Sequence, residues 1–97
     1  MEIIQTEANK KGAFTAYSNH IEAGKMTYTW AGNTKFIIDH TEVSPEFNGQ
    51  GVGKKMLMEA IKMARDKKVK ILPLCPYAKS VFDKTPEIRD VLFQNNS

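Results

Sequence analysis

Asn48-Gly49-Gln50-Gly51-Val52-Gly53 runs directly into Lys54-Lys55-Met56-Leu57-Met58-Glu59-Ala60-Ile61-Lys62-Met63-Ala64. In the second segment, Val52, Met56, Leu57, Ala60, Ile61 and Ala64 recur at helical spacing on one side. Lys54, Lys55, Glu59, Lys62, Arg65 and Asp66 fall on the other, so the pattern predicts an amphipathic helix over 52–64. The glycines ahead of it let the backbone come close to a ligand, and the exposed amides of a first helical turn favour phosphate. The spacing is G-x-G-x-G, not the G-x-G-x-x-G of dinucleotide sites. A triphosphate loop would end in Gly-Lys-Ser or Gly-Lys-Thr where this chain has Gly53-Lys54-Lys55. Taken alone, the stretch fits a flexible strand-to-helix turn as well as a phosphate cradle.

Upstream, the period changes from helix to strand. Ile3-Ile4 open a short strand, and Asn9-Lys10-Lys11-Gly12 supply turn chemistry. Ala13 to Tyr17 form a second strand, stopped by Ser18-Asn19. From Ile21 to Trp30, Met26, Tyr28 and Trp30 alternate with Thr27 and Thr29, the period of two of a sheet with one buried face. Gly32-Asn33 then turns the chain into a fourth strand, Thr34 to Val43, which Ser44-Pro45 ends. Three short connections in succession imply a four-stranded antiparallel meander.

Downstream of the helix, Val69 to Leu74 is a short apolar run. It is expected to pair parallel to the strand before the helix through a right-handed crossover. Pro76 can start another helix with Val81 and Phe82 facing inward. Thr85-Pro86 stops it and begins a last short one carrying Ile88, Val91 and Leu92, and Gln94 to Ser97 read as a frayed tail. The expected fold class is α+β (α/β): meander, helix, parallel fifth strand and short C-terminal helices.

Length and charge bound the rest. Ninety-seven residues with 41% apolar content support one core, so a single domain over 1–97 is expected. The single cysteine, Cys75, excludes an intramolecular disulfide and a multi-cysteine zinc site, and two histidines without close spacing add no metal site. No apolar run reaches the roughly 18 residues of a spanning helix, and Met1-Glu2-Ile3-Ile4 has no basic region before an apolar stretch. A soluble, cytoplasmic protein is expected, without membrane partners. The net charge of +3 is spread over separate pairs, Lys10-Lys11, Lys54-Lys55 and Lys67-Lys68. It selects neither a small anion nor nucleic acid. Because Tyr28 and Trp30 are flanked by threonines rather than basic residues, no nucleic-acid partner is expected.

The order of elements, with Pro45-Glu46-Phe47-Asn48-Gly49-Gln50-Gly51-Val52-Gly53-Lys54 between the fourth strand and the long helix, resembles the GNAT acetyltransferase superfamily and its Q/R-x-x-G-x-G/A pyrophosphate loop. Asn48 stands where that family usually has Arg or Gln, which removes a long donor and leaves the backbone amides from Gly49 to Lys54. His40-Thr41-Glu42-Val43-Ser44-Pro45-Glu46-Phe47 before the loop and Cys75-Pro76-Tyr77 after the fifth strand resemble the small GNAT-like proteins of about 100 residues that lack N-terminal substrate-binding helices.

The resemblance implies an acetyl-coenzyme A-dependent N-acetyltransferase acting on an amine of a small molecule or a protein. A noncatalytic coenzyme A-binding or acyl-sensing module is the alternative, since so short a chain has little left to build an acceptor pocket. It also implies cofactor contacts from Glu42, Val43, Asn48, Gly49, Gln50, Gly51, Val52, Gly53 and Lys54, with the backbone at Glu42 and Val43 pairing with the pantetheine arm.

Four residues are candidates for the chemistry. His40 and Glu42 lie two apart and on a regular strand face the same way, with Phe36 and Ile38 before them, so they could deprotonate an ammonium acceptor directly or through water. Both also fit ordinary structural or solvated roles. Cys75, between the fifth strand and the Pro76 helix, is a candidate nucleophile, a contact for the acyl group, or core filler. Direct attack by the amine is the favoured route. The resemblance offers Tyr77 as the acid that protonates the departing thiolate, with packing as the other reading. Lys79 and Lys84 read as a solvated helix face, and His20 as an exposed turn residue.

Overall fold

The computed structural model describes residues 1–94. Asn9-Lys10 and Asn19-His20 all sit at positive φ, between 51° and 68°. That is the mirror-image two-residue turn whose twist matches the strands it joins, and Asn tolerates it better than most residues. These turns connect β1 (Glu2–Ala8), β2 (Lys11–Ser18) and β3 (Ile21–Ala31). Because the first turn needs only two residues, Lys11 and Gly12 belong to β2, and β1 extends well beyond Ile3-Ile4. Gly32, at φ 75°, turns the chain into β4 (Lys35–Val43).

Pro45–Phe47 forms a one-turn 3-10 helix before α1 (Val52–Lys67), followed by β5 (Lys70–Pro73), α2 (Pro76–Lys84) and a 3-10 segment, Pro86–Val91. The sheet order is β1-β2-β3-β4-β5, antiparallel up to β4 and parallel between β4 and β5. This is the expected α+β arrangement. The helix outruns its expected end at Ala64 because Lys68 closes it in the left-handed region at φ 58°. Its N–H bonds the carbonyl of Arg65 while that of Val69 bonds Ala64, a closure usually signalled by glycine. The expected tail, 94–97, lies outside the described residues beyond Gln94.

α1 lays Met56, Leu57, Ala60 and Ile61 on the sheet face formed by Met26, Tyr28, Phe36 and Ile38, and all eight are buried. Burying a Met, Leu, Ile or Phe side chain in this way stabilises the fold by roughly 1.5–3 kcal/mol. Tyr28 is the polar exception. Its hydroxyl donates to Glu7 Oε1 at 2.7 Å and accepts from Gln5 Nε2 at 2.8 Å, so no buried polar atom there is left unpaired. Trp30 Nε1 donates to the same carboxylate oxygen at 2.8 Å. Those two donors, Trp30 first, hold the Glu7 carboxyl below the usual carboxylate range. Burial, reinforced by Glu7, pushes the Tyr28 phenol up to about 12.

One irregularity governs the functional end. In the β3–β4 pairing Tyr28 faces Ile38 while Thr27 faces His40, so Asp39 is an extra residue, a β-bulge. A one-residue insertion reverses which side chains face the helix. Before the bulge Phe36 and Ile38 point toward α1; after it Thr41 and Val43 do. His40 and Glu42 do face the same way as each other, but away from the side shared by Phe36 and Ile38, which corrects the regular-strand expectation.

Candidate functional site

β5 follows β4 only as far as the Ile38–Pro73 pair, after which the N–H groups of Leu74 and Cys75 both reach the carbonyl of Ile38 at 3.2 Å. β4 continues through Val43 while the chain beyond β5 turns away into α2. The edge of β4 over residues 41–43 is therefore unmatched on that side and could take an added strand. Between this edge and the start of α1 lies a cleft of about 260 Å³, lined by Thr41, Val43, Phe47, Asn48, Gly49, Gly51, Val52, Gly53 and Tyr77.

The glycine-rich turn is shaped by its backbone. Gly49 and Gly51 take φ of 82° and 72°, the left-handed region that glycine enters without strain, and space is open where a Cβ of either would sit. Gly51 is the residue before α1 and has no side chain to cap it. The first intrahelical bond runs from Lys55 N to Gly51 O, so the N–H groups of Val52, Gly53 and Lys54 have no partner within the helix. The first turn also holds Lys54 and Lys55 and no acid, although the positive end of a helix dipole disfavours cations. The geometry and the charge of this turn both suit an anion. Gly53 plays a different part: a Cβ there would stand 2.9 Å from Cζ of Tyr77, so its bareness lets the phenol close the cleft wall.

Cys75 sits at the point where β4 and β5 part. It is 4% exposed, donates its thiol hydrogen to Thr41 Oγ1 at 3.2 Å, and accepts the N–H of Ala78 at 3.4 Å, capping α2. Burial, and Cys75 beside it, push the Tyr77 phenol up, which keeps it protonated as a donor. His40 Nε2 and Glu42 Oε1 are 2.9 Å apart, with two thirds or more of each side chain exposed, on the sheet face away from Thr41 and Val43.

The structure thus gathers Val43, Asn48, Gly49, Gly51, Val52, Gly53 and Tyr77 around one cleft, with Cys75 behind Thr41. It does not bring Gln50 to the cleft lining, and Lys54 lines a neighbouring groove with Lys55 and Met58. Thr41 and Phe47 were missed by sequence reasoning. Phe47 could have been found as the apolar residue abutting the glycine run, whereas Thr41 faces the cleft only because of the bulge at Asp39.

The family described as GCN5-related N-acetyl-transferase matches residues 5–91. The chain belongs to this family. Among solved structures, the GNAT chain is similar to a GCN5-like protein from Staphylococcus aureus, 32% identical with a TM-score of 0.70, over 96% of this chain and 90% of that one. It is also similar to nourseothricin acetyltransferase, 26% identical with a TM-score of 0.58, over 67% of this chain and 40% of that one. A GNAT family acetyltransferase from Elizabethkingia anophelis with acetyl-CoA bound shares the fold, at 17% identity and a TM-score of 0.64, over 79% of this chain and 53% of that one. The chain thus spans well under two thirds of the two larger acetyltransferases. None of the curated proteins compared with it matches significantly. Among the described residues, no helix of this GNAT chain is long and apolar enough to cross a membrane.

Proposed function

We propose that the chain works as one GNAT-like domain that transfers an acetyl group from acetyl-coenzyme A to an amine of a small molecule or protein, in a reducing, cytoplasmic setting suited to its lone thiol. The observation that carries this reading is the cleft itself: an unmatched strand edge at one wall and a helix start with three unpartnered amides at the other, 41–43 against 52–54. Acetyl-coenzyme A supplies the activated thioester. The amides of Gly49, Gly51, Val52, Gly53 and Lys54 hold the pyrophosphate, with Asn48 at the rim, and the backbone of Glu42 and Val43 pairs with the pantetheine amides.

Direct attack by the amine fits the residues best. Tyr77 stays protonated and donates its proton to the departing sulfur as the carbon–sulfur bond breaks and the carbon–nitrogen bond forms. The first ammonium proton passes through water to the His40–Glu42 pair, which is solvent-accessible on the other sheet face, and the proton that the nitrogen sheds after attack returns to the Tyr77 phenolate. Cys75 has its thiol hydrogen on Thr41 and its sulfur on an amide, an arrangement that orders the gap between β4 and β5 and leaves no base beside the sulfur.

One observation favours the alternative, a coenzyme A-binding or acyl-sensing module: the His40–Glu42 pair does not line the cleft. Thiol release from acetyl-coenzyme A over a panel of primary amines separates the two. Amine-dependent release supports the transferase; tight binding with no release under any amine supports the sensing module.

A further inference from the structure

The sequence scatters its lysines, and the fold gathers six of them at the end of the molecule away from the cleft. α1, sixteen residues and about 24 Å long, starts at the cleft and ends at Lys67-Lys68. Beside that end lie the β1–β2 turn with Lys10 and Lys11, the start of β4 with Lys35, and the start of β5 with Lys70. The grouping is fixed by backbone bonds: Trp30 N to Lys10 O at 2.8 Å and Lys70 N to Thr34 O at 2.9 Å, with Lys35 paired to Lys70 across the strands. Asp66 is the one acid in these segments, which leaves eight basic and ten acidic residues, a net of −2, for the rest of a chain whose total is +3.

Among the described residues none of the six is in an ion pair; the two pairs present are His40–Glu42 and Arg65–Asp90. Lys35 and Lys70 are partly occupied, with Lys35 Nζ 4.7 Å over the Phe93 ring and Lys70 Nζ on the carbonyl of Asp90. The nearby Glu7 carboxylate accepts from Tyr28 and Trp30, stays ionised and interacts with Lys67, so it offsets one of the six charges and leaves the pole positive. The helix dipole explains a cation at Lys67, but not lysines at the turn and strand starts, and like charges paired across strands are unfavourable.

Within this pole Lys10 and Lys67 flank a cleft of about 360 Å³ whose wall is the half-buried indole of Trp30, completed by Gly32, Asn33 and Val69. The indole is held in place, edge-on to Phe36 at 5.2 Å between ring centroids and bonded through Nε1 to Glu7. A fixed aromatic in a concave groove with ammonium groups on both sides is what a single strand needs: a stacking surface for a base and cations for the adjoining phosphates. A lipid surface would call for a protruding apolar group, and the large exposed apolar residues, Met1, Ile4, Ile21, Met58, Leu74 and Tyr77, all lie outside these segments.

We infer that this pole binds single-stranded nucleic acid, with one base against Trp30 and the flanking phosphates on Lys10, Lys11, Lys67 and Lys68. The expectation of no nucleic-acid partner rested on the threonines that flank Tyr28 and Trp30 along the chain, whereas this inference uses Lys10 and Lys67, which only the fold brings beside Trp30. The inference stands apart from the acetyl-transfer site, which lies at the other end of α1.

Trp30 is the sole tryptophan, so its emission reports on this cleft. A short single-stranded RNA titrated into the full chain is expected to quench it. With four phosphates engaged on a single strand, affinity should fall about 50-fold between about 50 and 200 mM salt. A Lys10→Gln, Lys67→Gln protein should bind more weakly, with a log–log salt slope shallower by about 1.4, and should bind acetyl-coenzyme A as before. RNA binding that leaves the emission unchanged, an unaltered slope in the double variant, or equal binding of polyglutamate or anionic vesicles would each overturn the inference.

Discussion

Cys75 Sγ and Thr41 Oγ1 are joined by a 3.2 Å hydrogen bond across the point where β4 and β5 separate. The bond uses the thiol hydrogen, and the same sulfur takes the N–H of Ala78. The thiol is thus built into the base of the cleft, as a cap for α2 and a tie to β4.

Cys75→Ser, which can make both bonds, should keep turnover within a few-fold of the parent. Cys75→Ala should lose about 0.5–2 kcal/mol of stability with the cap, yet retain measurable activity. Mass spectrometry after incubation with acetyl-coenzyme A should find no acetyl group on Cys75. A hydroxylamine-sensitive adduct that transfers to added amine would establish the acyl-enzyme route instead.

Gly51 and Gly53 should fail in different ways. Gly51→Val forces a β-branched residue to φ 72°, at a cost of about 1–2 kcal/mol, and sets its side chain in the open space where phosphate would lie. Calorimetry should show acetyl-coenzyme A binding lost in a protein whose circular dichroism is unchanged. Gly53→Ala keeps the amide but drives the Tyr77 ring aside, so turnover should drop about tenfold or more while affinity changes little. Equal losses of affinity in the two variants would remove the distinction between phosphate cradle and phenol wall.

Lys54 should show a trade of stability against binding. Lys54→Glu replaces a cation by an anion at the positive end of α1, which should add up to about 1 kcal/mol and raise Tm by about 4 °C. The same change should weaken acetyl-coenzyme A binding. Asn48→Arg, adding a long donor at the rim, should keep or strengthen it.

Most of the fold was legible because its signals are local: the Asn-first turns, the alternation through Met26 and Tyr28, the helical face from Val52 to Ala64, and the proline starts at Pro76 and Pro86 all act within a few residues. What escaped depends on partners distant in sequence. Lys68 closes α1 in a conformation for which its own residue type gives no cue. The bulge at Asp39 exists only in the pairing of β4 with β3, and with it the swap that turns Thr41 into the cleft and His40 out of it. The glycine turn was found from composition; the reason Gly53 must be bare, the ring of Tyr77 24 residues later, was not.

Tyr28 sets an alkaline limit on stability. Its phenol is raised from 10 to about 12 in the fold, so the folded state holds its proton more tightly than the unfolded chain. The contribution is fully present below pH 10 and is lost as pH rises through 12, with a total on the order of 2–3 kcal/mol. Denaturant unfolding from pH 9 to 12 should show this loss, and Tyr28→Phe should flatten it. Parallel pH profiles for the two proteins would contradict the assignment.

If the cleft between residues 41–43 and the start of α1 holds the acyl donor, amide-resolved NMR during an acetyl-coenzyme A titration will locate it there. Saturable shifts are expected, concentrated in the N–H signals of Gly49 to Lys54 and of Thr41 to Val43, with those around Trp30 unmoved. Saturable shifts that leave both segments unperturbed, or no binding at millimolar donor, would contradict it.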